Sequence, residues 1–240
     1  MLDAGAGRRL AFRRRDGRGP TILFLPGYAS DMEGGKASAL DAWADEQGRA
    51  MLRFDYGGCG ASAGSFEAQS LEDWRDDVLA AIDSVEGPVI LVGSSMGGWL
   101  MLLAALARPE RVVGMVGIAA APDFTSWGFT EAEKETIRRD GRLEQPSPYG
   151  DLPTVTSRTF WESGERNLLL GGKIAIDVPV RLLHGQRDAD VPWRNSLLLA
   201  ERLRSADVQT ILVKDGDHRL SRDPDIALLI ATVGALLESL

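Results

Sequence analysis

Val89-Ile90-Leu91-Val92-Gly93-Ser94-Ser95-Met96-Gly97, followed by the apolar run at residues 98–107, decides the fold of this 240-residue chain. The four aliphatic residues predict a buried strand, and the run after the glycines predicts a buried helix. A tight turn between them, with glycine on both sides of a central serine, is typical of a strained elbow that exposes a nucleophilic hydroxyl at a strand end. Ser95 is at the centre of the pattern, and Ser94 is the alternative.

Further apolar runs typical of buried strands recur along the chain, at residues 21–25, 50–54, 112–119, 180–183 and 210–213. Segments with helical spacing lie between most of them. One has apolar residues every three or four positions from Leu71, behind a capping box formed by Ser70 and Asp73. Another begins with Asp223 as the expected N-cap and Pro224 at the first helical position. The alternation predicts one α/β domain spanning residues 1–240, with a mostly parallel central sheet and helices on both faces.

The alternation stops once, between about residues 123 and 176, where the chain is more polar and shows no obvious buried strand. Thr130 and Glu133 form a capping box and Gly141 is a plausible helix end, so we expect at least one short helix here. The aromatic residues of this stretch make it too apolar for a solvated linker. We therefore predict a small inserted cap.

Partners for a nucleophilic serine follow the later predicted strands. The strand at 180–183 leads into a turn containing Asp188, and the strand at 210–213 leads into a loop containing His218. A serine hydroxyl needs a general base, the base needs an acid that orients it, and the chain order Ser, Asp, His is one of the known arrangements. Asp188 and His218 are therefore the predicted partners. Asp190 is the alternative acid, and His184 is expected to end its strand with a structural hydrogen bond.

Two backbone N–H groups are needed to stabilise a developing oxyanion. The first predicted strand runs into a loop containing Tyr28, and Met96 follows the predicted nucleophile. We predict that Tyr28 and Met96 form the oxyanion hole through their backbones. The glycine-rich stretch at 54–60 lacks the Gly-Lys-Ser/Thr ending of a phosphate-binding loop, so nucleotide binding is rejected. Cys59 within it is expected to be a small packing residue.

Composition excludes several other classes of protein. A net charge of −8 opposes a large phosphate-binding surface, and the arginines at positions 8, 9, 13, 14 and 15 are interpreted as a solvated hairpin. One cysteine and two histidines leave little material for a metal site, so no metal and no cofactor are expected. No stretch is apolar enough to span a bilayer, which predicts no stable membrane insertion. The first residues lack a secretory or transit signal, so we expect a cytoplasmic protein.

Longer motifs resemble one known family. They are Phe24-Leu25-Pro26-Gly27-Tyr28, Arg53-Phe54-Asp55-Tyr56, LVGSSMGGWLMLL at 91–103, RLLHG at 181–185, Val191-Pro192-Trp193 and Asp217-His218-Arg219. Together they resemble the α/β-hydrolases, and among these the subfamily of the mitochondrial palmitoyl-protein thioesterase and mycophenolic acid acyl-glucuronide esterase. The resemblance covers the chain from about residue 21 to its carboxyl end and implies the α/β-hydrolase fold, with Ser95, Asp188 and His218 in the matching positions.

The resemblance implies a serine hydrolase that cleaves acyl esters or thioesters through an acyl-enzyme. Its substrate would be a small acyl ester or thioester, or an acylated protein, with no nucleic-acid partner. Candidates for an apolar wall that binds the acyl chain are Trp99, Trp127, Phe160 and the side chain of Tyr28. Two alternatives stay open, because a fold and a triad do not select the scissile bond. They are a peptidase or carbon–carbon bond hydrolase with the same triad, and a ligand-binding protein without turnover.

Overall fold

The centre of the molecule is a mostly parallel β-sheet, in a computed structural model that describes residues 1–5, 7–146 and 153–240. The described strands are β1 (Leu2–Asp3), β2 (Arg9–Leu10), β3 (Phe12–Arg15), β4 (Arg18–Leu25), β5 (Arg49–Phe54), β6 (Val89–Ser94), β7 (Val112–Ile118), β8 (Arg142–Gln145), β9 (Thr154–Ser157), β10 (Val180–Gly185) and β11 (Val208–Val213). Seven of them form one sheet in the order β11-β10-β7-β6-β4-β5-β3. Only the edge strand β3 runs antiparallel to its neighbour. The predicted mostly parallel sheet is confirmed.

Helices cover both faces of this sheet, as the alternation predicted. The described helices are α1 (Gly35–Glu46), α2 (Leu71–Asp83), α3 (Met96–Ala107), α4 (Phe124–Trp127), α5 (Glu131–Asp140), α6 (Arg158–Arg166), α7 (Arg194–Arg202) and α8 (Asp223–Ser239). Successive strand residues point to opposite faces. Leu91 of β6 accordingly packs with α2 and α3, whereas its neighbours Ile90 and Val92 pack with α1 and α8. A strand buried on both faces must be apolar along its whole length, which is why these strands were readable in the sequence.

Side-chain caps fix most of the predicted helix ends. The capping boxes of Ser70 with Asp73 and of Thr130 with Glu133 are both present, and Gly141 ends α5 in the left-handed conformation at φ 81°. The last helix differs by one residue. Its N-cap is Arg222 rather than Asp223, because the Arg222 backbone N–H and guanidinium both donate to the Asp225 carboxylate.

The amino-terminal arginines form the predicted hairpin only in part. β1 pairs antiparallel with β2, and Arg8 and the exposed Arg9 belong to this hairpin. Arg13, Arg14 and Arg15 lie instead on β3, which pairs with β5 and extends the main sheet. Acidic side chains lie beside two of the arginines: Arg8 is 3.0 Å from Asp77, and Arg15 is 3.2 Å from Asp41. The position of β3 was missed because sequence spacing does not reveal which strand an edge strand will pair with.

The insertion, residues 123–176, contains α4, α5, α6 and a two-stranded antiparallel sheet of β8 and β9. The sequence analysis missed this small sheet because β8 alternates between exposed and half-buried residues and is never fully apolar. Part of the predicted insertion, residues 147–152, lies outside the described residues. Its described part packs on the body, since Ser163 accepts from the Leu71 backbone at 2.7 Å and Trp99 donates to Asn167 at 3.2 Å. Among the helices that the structure describes, none is long and apolar enough to cross a membrane.

Candidate active site

Ser95 occupies a sharp turn between β6 and α3. Its backbone has φ 54° and ψ −118°, a conformation that costs a residue other than glycine on the order of 1–3 kcal/mol. Gly93 and Gly97 allow the turn to close. A Cβ on Gly93 would overlap the backbone of Gly97, and a Cβ on Gly97 would overlap the Leu25 carbonyl. The glycine pattern that predicted the elbow is therefore explained by close approach of three backbone segments.

Backbone hydrogen bonds hold the strained residue from the neighbouring strand. The Ser95 N–H donates to the Ile118 carbonyl at the end of β7, at 2.9 Å. The Ser95 carbonyl accepts from the N–H groups of Gly98 and Ala121, at 2.9 and 3.0 Å. Because both backbone groups of Ser95 are fixed, the position of its side chain is set before any ligand arrives.

The loops after β10 and β11 pack directly on one another. A Cβ on Gly185 would overlap the Gly216 backbone, and the Arg187 N–H donates to the Gly216 carbonyl at 2.9 Å. With no side chain between the two loops, Asp188 in the first reaches His218 in the second.

Ser95, His218 and Asp188 are joined by two hydrogen bonds. His218 Nε2 lies 3.2 Å from Ser95 Oγ, and His218 Nδ1 lies 2.8 Å from Asp188 Oδ2. The Asp188 side chain is fully buried and that of His218 is 16% exposed. A carboxylate can only accept, so Nδ1 carries the proton and Nε2 presents a lone pair to the serine hydroxyl. The structure brings together the three residues that the sequence analysis selected.

Four N–H groups surround the Asp188 carboxylate. Oδ2 faces ring nitrogens of His218 at 2.8 Å and His184 at 3.0 Å, and Oδ1 accepts from the backbone of Asp190 at 2.9 Å and Val191 at 2.8 Å. Burial alone raises the pKa of Asp188, but hydrogen bonds from His184, His218 and Val191 outweigh it and hold that pKa well below its usual range. Asp188 is thus a stable anion at neutral pH.

The alternative residues occupy different positions. Asp190 is exposed, and its backbone, rather than its carboxylate, supports Asp188. Ser94 ends β6 beside Ser95, whereas the ring nitrogen of His218 faces the Ser95 hydroxyl. His184 lies at the end of β10, fully buried, with three hydrogen-bond contacts. The expectation that His184 ends its strand with a structural hydrogen bond is confirmed, but its contact with Asp188 was not foreseen. The four-residue spacing of His184 and Asp188 was the available signal.

The two predicted oxyanion residues flank the elbow. Met96 is the first residue of α3, so its backbone belongs to the positive end of that helix. Tyr28 lies in the loop after β4, next to Gly27, whose Cβ position is 3.4 Å from the Ser95 Cβ. The Tyr28 hydroxyl donates to the Val155 carbonyl of β9 at 2.6 Å, so its side chain joins this loop to the insertion. Their role as oxyanion donors stays a prediction.

A cavity of about 520 Å³ opens at Ser95 and His218. The loop after β4 and the start of α1 form one side, and Gln145 of β8, Pro146 directly after it and Thr154 of β9 form another. The other polar or charged lining residues are Ser30, Asp31, Lys36, Ser94, Asp190, Arg219 and Ser221, and Phe24, Tyr28, Ala29 and Ala37 add aromatic or apolar surface. Lys36 also donates to the Arg219 carbonyl, and its burial lowers its pKa to about 8. The cavity beside Ser95 therefore offers both polar and apolar surface to a ligand.

Of the aromatic residues predicted to form an acyl-binding wall, Tyr28 lines this cavity, whereas Trp99, Trp127 and Phe160 are not among its described lining residues. Trp99 and Phe160 are 0% and 1% exposed and belong to the core. Trp127 is half-buried and donates to the Pro122 carbonyl at 2.8 Å. Phe160 instead packs on Tyr28, with ring centroids 4.9 Å apart. Phe160 and Trp99 therefore join the insertion to the rest of the domain. Sequence spacing alone does not show whether an aromatic residue makes such a contact or lines a pocket.

Among the described residues, one group of acidic and histidine side chains is close enough to hold a metal ion. Asp188, Asp190 and His218 each offer a ligand atom, and these atoms lie within 4.8 Å of one another. The contact of His218 Nδ1 with Asp188 Oδ2 at 2.8 Å is a hydrogen bond and occupies the histidine atom nearest the carboxylate. The expectation of no metal and no cofactor stays a prediction.

Comparison with known proteins shows which family the chain belongs to. A family model described as serine aminopeptidase S33 matches residues 19–136, and one for the prolyl oligopeptidase family matches residues 78–233. The chain is 45% identical over 237 residues to mouse palmitoyl-protein thioesterase ABHD10, mitochondrial, covering 96% of this chain and 80% of that relative. The solved mouse α/β-hydrolase domain-containing protein 10 superposes with a TM-score of 0.92 at 42% identity, covering 99% and 97% of the two chains. The chain belongs to the α/β-hydrolase family.

A second solved structure supports the same assignment. A putative hydrolase from Agrobacterium vitis S4 superposes with a TM-score of 0.92 at 38% identity, over 98% of this chain and 96% of that one. The family and the names of these relatives make the chain a hydrolase. The resemblance to the α/β-hydrolases found in the motifs is confirmed.

Proposed function

We propose that this α/β-hydrolase is a serine hydrolase that cleaves acyl esters or thioesters, with Ser95 as nucleophile, His218 as general base and Asp188 as the acid that orients His218. The observation that carries the proposal is the pair of hydrogen bonds that joins these side chains, at 3.2 and 2.8 Å, with Ser95 on a strained elbow. Each role requires one of these contacts.

In acylation, Ser95 Oγ attacks the acyl carbonyl carbon while His218 Nε2 takes the hydroxyl proton. The carbonyl oxygen becomes an oxyanion, which the backbone N–H groups of Tyr28 and Met96 are proposed to bind. Collapse of this intermediate breaks the bond to the leaving oxygen or sulfur, and His218 returns the proton to that atom. The buried anion of Asp188 stabilises the imidazolium of His218 throughout.

In deacylation, water takes the place of the leaving group. His218 accepts a proton from the water as its oxygen attacks the acyl-enzyme carbonyl, and the second oxyanion uses the same two amides. Collapse releases the carboxylic acid and returns the proton to Ser95 Oγ. These reaction steps need no group beyond the substrate, water and the named residues.

The substrate class follows from the relatives and the cavity. Relatives named palmitoyl-protein thioesterase suggest a thioester of an acylated protein, or a small acyl donor. The polar and charged residues around the cavity favour a substrate with a polar group near the scissile bond. An acyl glucuronide has such a group, and Lys36 and Arg219 supply two cationic residues to a lining that also holds the acidic Asp31 and Asp190. We therefore propose acyl glucuronides as the second substrate, beside acyl thioesters.

The insertion is proposed to act as a cap on the substrate cavity, since Gln145, Pro146 and Thr154 come from it.

The cytoplasmic location remains a prediction. The competing functions are peptidase activity, carbon–carbon bond hydrolysis and ligand binding without turnover, and the first and the last of these can be tested in the same assay.

A substrate panel separates these functions. Purified protein is assayed with p-nitrophenyl esters of graded length, palmitoyl thioesters, an acyl glucuronide and aminoacyl anilides, beside Ser95→Ala. We expect turnover of esters and thioesters that Ser95→Ala abolishes. Turnover of anilides alone would make the protein a peptidase, and no turnover of any member together with an unlabelled Ser95 would favour ligand binding.

A further inference from the structure

We infer that His184, held by Ser196, is a positioning residue for the Asp188 carboxylate, an inference that rests on the proposed function. His184 does not line the cavity and has no contact with Ser95 among the described interactions. It is fully buried at the end of β10, four residues before Asp188. Its route to the site is therefore through its hydrogen bond to Asp188.

The surroundings of His184 fix its tautomer. Its Nε2 lies 3.0 Å from Asp188 Oδ2 and 3.1 Å from the Val191 carbonyl oxygen. Both neighbours are acceptors, so an unprotonated Nε2 would face two oxygens without a hydrogen between them. Nε2 therefore carries the proton, and it donates to these two oxygens.

Ser196 supplies the matching partner on the other side of the ring. Its hydroxyl lies 2.7 Å from His184 Nδ1, and the residue is 1% exposed in α7. Because Nε2 holds the ring proton, Nδ1 accepts and the Ser196 hydroxyl donates. The Ser196 hydroxyl thus satisfies Nδ1, and this contact from α7 holds the ring in the orientation in which Nε2 faces Asp188.

The result is one chain of hydrogen bonds from Ser196 through His184, Asp188 and His218 to Ser95. Asp188 Oδ2 accepts from both imidazoles, while the backbone holds Oδ1. Without His184, the buried carboxylate would lose one of its four N–H partners and could turn about its Cβ–Cγ bond, away from His218. His184 thus keeps the carboxylate in the orientation that holds His218 in its productive tautomer.

Three substitutions test the inference. His184→Leu keeps bulk but removes the donor, His184→Gln keeps an N–H group near the position of Nε2, and Ser196→Ala removes the hydroxyl that holds Nδ1 and with it the ring orientation. We expect His184→Leu to lower kcat about 10- to 100-fold, as befits loss of a hydrogen bond to a charged group, with KM unchanged. His184→Gln should recover most of this loss, and Ser196→Ala should lower kcat to a smaller extent.

Ser163→Ala is the matched control for Ser196→Ala. Ser163 is also a fully buried, hydrogen-bonded serine, but it lies in α6 and contacts Leu71 and Phe160. Ser163→Ala removes a hydroxyl oxygen, as Ser196→Ala does, and should leave kcat unchanged. Equal kcat losses in the two serine variants would assign the effect to general packing and overturn the inference.

Proton NMR supplies a readout that needs no turnover. The His218 Nδ1–H bonded to Asp188 should give a strongly downfield resonance, which His184→Leu shifts or broadens and Ser95→Ala retains. If the folded His184 variants and Ser196→Ala keep both this resonance and wild-type kcat, His184 has no positioning role. That result leaves the proposed function standing, whereas a wild-type protein with neither turnover nor a reactive Ser95 refutes the proposed function.

Discussion

His218 Nε2 lies 3.2 Å from Ser95 Oγ, although the two residues are 123 positions apart in the chain. The distance is at the long end of the range for a hydrogen bond. The elbow fixes Ser95 by backbone hydrogen bonds and the Asp188 contact fixes His218, so both ends of the interaction are set by the fold.

The two neighbouring carboxylates should differ sharply in importance. Asp188→Asn can no longer accept from His218 in the same way and favours the wrong histidine tautomer, so we expect kcat to fall roughly ten-thousand-fold. Asp190→Asn keeps the backbone N–H that donates to Asp188 and should cost far less. Steady-state kinetics on both variants measure this. A larger loss at Asp190 would reverse the assignment of the acid.

Replacing Gly97 should damage folding as well as activity. A Cβ there would overlap the Leu25 carbonyl, and relieving the overlap requires the start of α3 to move away from the end of β4. We expect Gly97→Ala to lower the free energy of unfolding by about 1–3 kcal/mol or more and to reduce kcat. Gly171→Ala is the control, since nothing lies within 4 Å of its Cβ position. Urea unfolding of both variants is the measurement, and equal stabilities would show that the elbow tolerates a side chain.

The free energy of unfolding should fall as the pH rises above about 4, because Asp77 loses its proton. Its side chain is fully buried, and burial raises its pKa to about 6 despite hydrogen bonding from Gly57 and the charge of Arg8. In an unfolded chain an aspartate has a pKa of about 3.9, so between these values the folded protein holds a proton that the unfolded chain releases. The stability that protonated Asp77 contributes is present below about pH 4 and is lost as pH rises through about 6, by roughly 2–3 kcal/mol.

Asp77→Asn tests this pH dependence. The amide cannot ionise, so relative to the variant, wild-type protein should be more stable at pH 4.5 than at pH 7. Urea unfolding of both proteins at the two pH values gives the difference directly. The same difference in unfolding free energy at both pH values would mean that Asp77 does not titrate between them.

Substitution of two residues of the insertion should have different effects, one on stability and the other on substrate binding. Phe160 is buried in the core, so Phe160→Ala should cost about 3–5 kcal/mol of stability rather than alter acyl-chain preference. Gln145 lines the cavity, so Gln145→Ala should change KM with little loss of stability. Gln209→Ala, an exposed change on β11, is the control for Gln145→Ala. Thermal unfolding and kcat/KM for acetyl through decanoyl esters separate the two effects. Flattened chain-length dependence in a stable Phe160→Ala protein would restore the apolar wall predicted from the sequence.

The features that local pattern determines were predictable from the sequence. The elbow follows from two glycines around Ser95, and the central strands are apolar because both their faces are buried. Asp188 and His218 could be selected because each follows a recognisable strand.

The other features depend on tertiary packing. Whether Phe160 faces the cavity or the core depends on how α6 docks, and the β8 strand is too exposed to show an apolar run. The pairing of β3 with β5 and the hydrogen bond of His184 with Asp188 also form only in the folded protein, so the sequence pattern did not predict them.

Covalent labelling of Ser95 tests the central claim most directly. Wild-type protein, Ser95→Ala and Ser94→Ala are treated with a fluorophosphonate probe, and the labelled peptide is located by mass spectrometry. The account predicts a single adduct on Ser95 in the wild type and in Ser94→Ala, and none in Ser95→Ala, whose kcat should fall on the order of a million-fold. An adduct on Ser94, or labelling and turnover that survive in Ser95→Ala, would contradict it.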